Sequence, residues 1–259
     1  MAVRVILRTF ASELTCVIRL NELSEDMDAG TLIDIDRELL LWFNGSSSLF
    51  LDGLVKTLTT ALTWVPLYVS LFYLVLKNND DVKKVLLIVA CAALCVFLAG
   101  SLNDMLVKPS VGRWRPTHDE VIGYAVDVVN NYRGGRFGFF SSHAANTFSI
   151  AIFFSLLVRS RVLTIGLVSW SLINCWTRLY LGVHFPGDVF CGLLWGGVVG
   201  TGVWYLHQQL NSRLSSPPNF ISSQYTATGY QLKDVDVVIT VLAMTFIYAI
   251  IRACFYLYV

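Results

Sequence analysis

Stretches free of Asp, Glu, Lys and Arg recur along the chain at close to the length a helix needs to cross a bilayer. A hydrocarbon core about 30 Å thick takes roughly 20 apolar residues at 1.5 Å per residue. Thr57 to Leu76, between Lys56 and Lys77, is the first such interval, and Val85 to Asn103, between Lys84 and Asp104, is the second. Ser142 to Val158 predicts a third helix, closed by Arg159 and Arg161. Val162 to Val183 is the fourth and carries Arg178 near its end. Val189 to Leu206 is the fifth, just after Pro186, which suits a first helical turn because its missing N–H has no partner there. Val237 to Val259 is the last, with Arg252 close enough to its end to snorkel.

Leu32 to Phe43 differs from these. Charged residues alternate there with an apolar stripe and Trp42 before the run stops at Asn44-Gly45, the pattern of a helix lying in the interface. The first 26 residues scatter Arg4, Arg8, Glu13 and Arg19 among apolar positions and show neither an h-region nor a cleavage site, so no signal peptide is read. Because Met27 directly precedes the interfacial helix, residues 1–30 are expected to be an extension outside the fold. Residues 31–206 then form the membrane core, 207–236 a polar connector containing Ser-Ser-Pro-Pro, and 237–259 a C-terminal span.

Composition supports a bilayer. The chain is 55% hydrophobic and 14% charged, against about 25% charged in soluble domains, and its mean hydropathy is +0.62. The predicted architecture is therefore all-α: a polytopic membrane helix bundle of about six spans with an N-terminal interfacial helix. The six cysteines fall mostly inside apolar runs, where Cys behaves as a small hydrophobe, so no disulfide framework is expected. A net charge of +1 offers no basic surface to nucleic acid.

Counting spans places Asp104 to Ser141 and the turn near His184 on one side of the membrane. The connectors Lys77 to Lys84, Arg159 to Arg161 and His207 to Asp234 fall on the other. The second set carries Lys77, Lys83, Lys84, Arg159, Arg161, Arg213 and Lys233. Once basic residues of the candidate site are discounted and the chain is taken from Met27, the positive-inside bias makes that set cytoplasmic.

Three polar clusters interrupt the apolar pattern, all on the first side. They are Lys108-Pro109-Ser110-Val111-Gly112-Arg113-Trp114-Arg115-Pro116, Phe140-Ser141-Ser142-His143-Ala144-Ala145-Asn146, and Thr177 to Asp188 with Arg178 and His184 inside it. Ionisable groups at membrane depth are costly and usually functional. Lys108, Arg115 and Arg178 lack an equal number of nearby carboxylates, which points to a ligand with several anionic oxygens. Arg forks match phosphate geometry, and Lys adds a point charge. Ser141, Ser142 and the free N–H groups at the start of the third span offer the anion a further place to sit. Asp188, four residues after His184, can hold one imidazole nitrogen protonated and leave the other a lone pair for an electrophile. The second histidine is then free to protonate a departing oxygen.

Lys108, six residues, Arg115-Pro116, then Ser-Ser-His, then Arg178, five residues, His184, three residues and Asp188 resemble the three-part signature of the type-2 phosphatidic acid phosphatase superfamily. The resemblance spans Leu32 to Leu206 and implies a metal-independent phosphatase site near the membrane surface, with no cofactor. It implies that His184 forms a phosphohistidine, Asp188 orients it and His143 is the acid for the leaving group. Lys108, Arg115, Arg178 and Ser141 would bind phosphoryl oxygens, and Ser142 would contribute its backbone N–H. Two positions depart from the family's Pro-Ser-Gly-His, with Phe140 for Pro and Ser142 for Gly, and Thr177 stands where the family usually has Ser.

The resemblance is greatest to bacterial lipid phosphatases. A lipid-linked phosphate or diphosphate is expected as substrate, undecaprenyl diphosphate or lipid A leading, in an inner membrane with the site facing the periplasm. Two alternatives are a lipid-to-lipid phosphotransferase with the same site and an anion transporter using the three cations as a path. A third reading makes His118-Asp119-Glu120 part of a metal site with His143 or His184. Arg113, Arg133 and Arg136 read as headgroup or surface contacts, the tryptophans as packing or interfacial aromatics, and His207 as having no role.

Overall fold

Apolar faces set by the 3.6-residue period bury against one another in an all-α bundle, seen in a computed structural model that describes residues 29–212 and 223–256. The N-terminal extension to residue 28, residues 213–222 of the connector and the last three residues of the sixth interval lie outside these. The helices are α1 (Ala29–Phe43), α2 (Leu49–Thr59), α3 (Val65–Lys77), α4 (Val82–Val96), α5 (Ser142–Val158), α6 (Arg161–Tyr180), α7 (Pro186–Asn211) and α8 (Leu232–Tyr256). α4 runs on through two π-helical stretches, Phe97–Ser101 and Asn103–Val107, and a last α-turn, Lys108–Val111. α5 has the bounds the sequence predicts. α1 buries Leu40 against Ile122, Val126 and Phe185 and leaves Leu32, Ile33, Leu39, Leu41 and Trp42 exposed, as an interfacial helix would.

The first apolar interval is not one straight helix. α2 stops at Thr60, whose backbone is extended, and a 3-10 turn, Ala61–Trp64, leads into α3, so that the two segments are bent by 68°. Threonine hydroxyls compete with the backbone at this point. Thr57 Oγ1 donates to the Gly53 carbonyl, Thr60 Oγ1 to Lys56 and Thr63 Oγ1 to Thr57, a pattern that bends helices. Pro66 starts α3 without needing an N–H partner. Among the described residues, four helices are long and apolar enough to cross a membrane: Val82–Val111, Arg161–Tyr180, Pro186–Asn211 and Leu232–Phe255. The bent pair makes a fifth if counted as one span, and α5 is a shorter apolar helix.

α8 begins five residues before the predicted start at Val237. Its first turn is tied down: buried Asp234 accepts from Asn78 Nδ2 (3.1 Å) and the Tyr73 hydroxyl (3.4 Å), and the Gln231 N–H donates to Asn78 Oδ1 (2.7 Å). The chain preceding α8 lies beside the α3–α4 and α5–α6 turns, where Thr228 Oγ1 reaches the Val158 carbonyl (2.7 Å).

Close approach of α7 to α5 fixes the site. Gly192, Gly196 and Gly200 face α5 so tightly that a Cβ would come within 2.6 Å of the Ser141, Ala145 and Ser149 carbonyls. This is the small-residue packing by which membrane helices bring backbones together. It sets the N-termini of α5 and α7 side by side, and the Ser141 N–H donates to the Asp188 carbonyl (3.0 Å).

Candidate active site

Each site residue sits where a helix ends. α6 closes in a Schellman turn: Gly182 adopts φ +61°, its N–H donates to Leu179 (2.9 Å) and that of Val183 to Arg178 (3.2 Å). A side chain at Gly182 would collide with Val126 as well as strain the backbone. His184 therefore enters the gap before α7 at a fixed position. Two residues later Pro186 opens α7, and Asp188 at N3 takes the Phe185 N–H on Oδ2 (3.1 Å), the carboxylate half of a capping box.

Asp188 Oδ2 also lies 3.6 Å from His184 Nδ1. On the opposite side of the ring, Arg115 Nη1 stands 3.2 Å from Nε2 and donates to the Val183 carbonyl (2.9 Å). These neighbours suit a proton on Nδ1 and a lone pair on Nε2. Burial, helped by the positive charges of Arg115, Lys108 and Arg178, holds the His184 pKa well below the ordinary histidine value, so the ring is neutral at neutral pH. Burial likewise lowers the Arg115 pKa, with Tyr132, Asp188 and Asp104 favouring its charge. Arg remains protonated throughout the useful pH range.

The predicted residues converge. Lys108, Arg115 and Arg178 all act electrostatically on His184, and His143, more exposed at the start of α5, feels the same three cations and His184 itself. Arg178 is 2% exposed and Asp188 0%. Buried donors are left without partners here: Arg115 Nε, Arg178 Nη2 and His184 Nδ1. Leaving such groups unpaired is expensive.

Both serines also make hydrogen bonds within the protein. Ser141 Oγ accepts from the Ala144 N–H at 3.5 Å as the α5 N-cap. Ser142 uses its hydroxyl as well as any backbone role, donating to Asp104 Oδ1 (2.7 Å) and receiving Asn103 Nδ2 (2.8 Å). Asp104 Oδ1 in turn accepts from Lys108 Nζ (2.6 Å), so the side chain absent from the family's glycine helps hold the lysine.

Several participants escaped the sequence reading. Arg113 is not a surface contact: it is partly buried between Asp188 Oδ1 (2.8 Å) and Asp36 Oδ2 (2.6 Å). Buried Asn103 bonds the Phe140 carbonyl (2.7 Å). The Tyr132 ring lies 6.0 Å from the Arg178 guanidinium. Gly138 passes so near that a Cβ would sit 3.0 Å from Asp188 Oδ2, and one on Gly134, at φ +67°, 2.9 Å from Arg115 Nη1. Arg136 is stacked on Trp114, 4.6 Å from its ring centre.

The alternative metal site does not assemble. His118 Nδ1 pairs with Thr117 Oγ1 (3.0 Å) and its ring stacks on Trp114, while Asp119 takes the N–H groups of Val121 and Ile122 and the Arg37 guanidinium. Among the described residues, no three His, Cys, Asp or Glu side chains come together as metal ligands. Burial would raise the Asp119 pKa, but the Val121 N–H, Arg37 and the Ile122 N–H together lower it, so Asp119 is a structural anion.

A helical bundle presenting three cations, two histidines and a carboxylate at one end defines a class. Residues 58–212 match the PAP2 superfamily, and the chain belongs to that family. It is an integral membrane protein, a lipid phosphatase and a phosphoric ester hydrolase. Lipid A 4'-phosphatase of Bacteroides thetaiotaomicron is 40% identical over 227 residues, covering 86% of this chain and 98% of that protein. Lipid A 4'-phosphatase of Porphyromonas gingivalis is 32% identical over 217 residues, 82% of this chain and 91% of the other. A crystal structure of a transmembrane PAP2-type phosphatidylglycerolphosphate phosphatase from Bacillus subtilis shares the fold, with a TM-score of 0.52 and 16% identity over 80% of this chain and 96% of that one.

Proposed function

We propose that this chain removes a phosphate from lipid A by double displacement through His184, at a site on the outer face of a bacterial inner membrane. The observation that carries the mechanism is the pair of unpaired buried donors on Arg115 and Arg178. A phosphoryl group would satisfy them. The lipid A reading is supported by the identity to the two lipid A 4'-phosphatases along nearly their whole length.

The chemistry balances without a metal. Arg115 turns from His184 Nε2 to a phosphoryl oxygen as substrate enters. Nε2 attacks phosphorus, and the bond to the leaving oxygen breaks as His143, carrying a proton taken up with the anionic substrate, gives that proton to the oxygen. Asp188 holds Nδ1–H while the ring becomes positive. Lys108, Arg115, Arg178 and the N-terminus of α5 stabilise the charge on the equatorial oxygens. Water, deprotonated by His143, then attacks the phosphohistidine and releases phosphate. A lipid hydroxyl arriving instead of water would make the enzyme a phosphotransferase.

Phosphate release from purified lipid A, undecaprenyl diphosphate, phosphatidic acid and phosphatidylglycerophosphate in detergent tests the substrate. Lipid A is expected to turn over at least tenfold faster in kcat/KM than the other three. Preference for undecaprenyl diphosphate would overturn this assignment while leaving the mechanism standing. Activity is expected to survive EDTA and to fall with vanadate, which adopts the trigonal-bipyramidal geometry of the transition state. Loss on chelation, restored by one divalent cation, would contradict the mechanism. Orientation is checked by impermeant thiol labelling of intact cells with native cysteines blocked: a cysteine at Asp127 should react and one at Asn79 should not.

A further inference from the structure

We propose that Asp36, on the interfacial helix α1, acts through Arg113 as a positioning residue for Asp188, so that the docked helix is part of what aims His184. The inference rests on the roles of Asp188 and His184 given above. Arg113 spans the two carboxylates, with Nη1 2.8 Å from Asp188 Oδ1 and Nη2 2.6 Å from Asp36 Oδ2. Its guanidinium carbon lies 4.4 Å from the centre of the Phe185 ring, next in sequence to His184. Asp36 Oδ1 accepts the Gly187 N–H (2.7 Å), one of the free donors in the first turn of α7 and the neighbour of Asp188. A Cβ on Gly187 would approach Asp36 Oδ2 to 2.9 Å, so only glycine lets the carboxylate come this close.

Asp188 thus has one oxygen for the histidine side and the other for Arg113, and the guanidinium plane fixes the carboxylate's rotation. A fork held at both ends is more restrictive than one ion pair. Without Asp36, Arg113 is held at one end only, and Asp188 can rotate away from a His184 contact that is already 3.6 Å long. The outer surface of α1 exposes Leu32, Ile33, Leu39, Leu41 and Trp42, so seating this helix in the lipid interface and ordering Asp188 are coupled in one element.

A purely structural alternative is that Asp36 only fastens α1. Other polar tethers hold α1 and Asn44, the residue that follows it. Arg37 Nη2 reaches Asp119 Oδ2 (3.0 Å), and Asn44 Nδ2 donates to the Tyr180 carbonyl (2.9 Å). Arg37→Gln therefore removes one tether of α1 while leaving the Asp36–Arg113–Asp188 contacts in place, and serves as the control.

Steady-state kinetics on the best substrate of the panel, in detergent, decide the matter. Asp36→Asn is expected to lower kcat about 10- to 100-fold, the scale on which outer partners of working groups act, with KM within about twofold. Asp36→Glu should recover part of that loss. Arg113→Gln should also move the acid limb of kcat/KM to higher pH. Removing that cation favours the imidazolium on His184, which faces Arg115, Lys108 with Asp104, Arg178, His143 and Asp188, and it favours protonation of Asp188. Arg37→Gln should keep kcat and the pH profile of the parent. A normal kcat in Asp36→Asn, or an equal loss in Arg37→Gln, would overturn the proposal. Asp188→Asn is run alongside: if it too kept full activity, the failure would lie in the role given to Asp188 itself.

Discussion

Replacing His184 with alanine should abolish turnover on every substrate, whatever the leaving group. In the proposed mechanism Nε2 forms the bond to phosphorus, and Arg115 stands 3.2 Å beside it. Removing it deletes the covalent route, and what remains is a cluster of cations that can bind phosphate without cleaving it. Removal of one member of a comparable triad costs about 10⁴-fold or more, so the residual rate should sit at the assay floor. A nitrophenolate leaving group does not help, because protonation of the leaving oxygen is not what has been lost. Rapid quench under alkaline conditions should trap acid-labile phosphate on the parent protein and none on His184→Ala. Phosphate trapped on the variant would overturn the mechanism. Thermal melting of the two proteins guards against misfolding, since His184 is itself buried.

The sequence displays this site because charge is conspicuous against apolar helices. Arg178 breaks an otherwise charge-free run, Lys108, Arg115, His143, His184 and Asp188 lie at or beyond the ends of such runs, and span counting alone puts them at one end of the bundle. What stays invisible is pairing across long separations. Arg113 reads as a headgroup contact until Asp36, 77 residues earlier, is seen bonded to it, and Asn103 looks like the end of an apolar run until the Phe140 carbonyl stands beside it. One signal was available and unread: Gly192, Gly196 and Gly200 recur every fourth residue, the spacing that predicts close helix packing in a membrane.

Errors of boundary have local causes. Charge-free length predicts a single helix over Thr57 to Leu76, yet hydropathy does not register that Thr57, Thr60 and Thr63 return their hydroxyls to the backbone and bend it. Treating Lys233, Asp234 and Asp236 as a polar connector starts α8 too late, because Asp234 is satisfied by Asn78 and Tyr73 inside the bundle. In both places a polar side chain behaves according to its partner, not its transfer free energy.

His143→Ala should show a loss that depends on the leaving group, and this separates the two histidines. A sugar or lipid alkoxide departs poorly without a proton, whereas p-nitrophenolate leaves as a stable anion. General acid help is worth about 10²–10⁴-fold, so the variant should lose that much in kcat/KM on lipid A and recover most of kcat/KM, which reads only the first half-reaction, on p-nitrophenyl phosphate, provided the parent accepts the latter. His143 stands at the start of α5, more exposed than His184 and within the field of the same cations. If formation of the phosphohistidine becomes fast on the activated ester, the second half-reaction still lacks its base. Hydrolysis of the intermediate then becomes slow, and acid-labile phosphate should accumulate on His143→Ala to a higher level than on the parent. Rapid-quench trapping alongside steady-state rates on both substrates reads both effects. Equal losses on the two substrates, with no accumulation, would remove His143 from the leaving-group step and from the activation of water together.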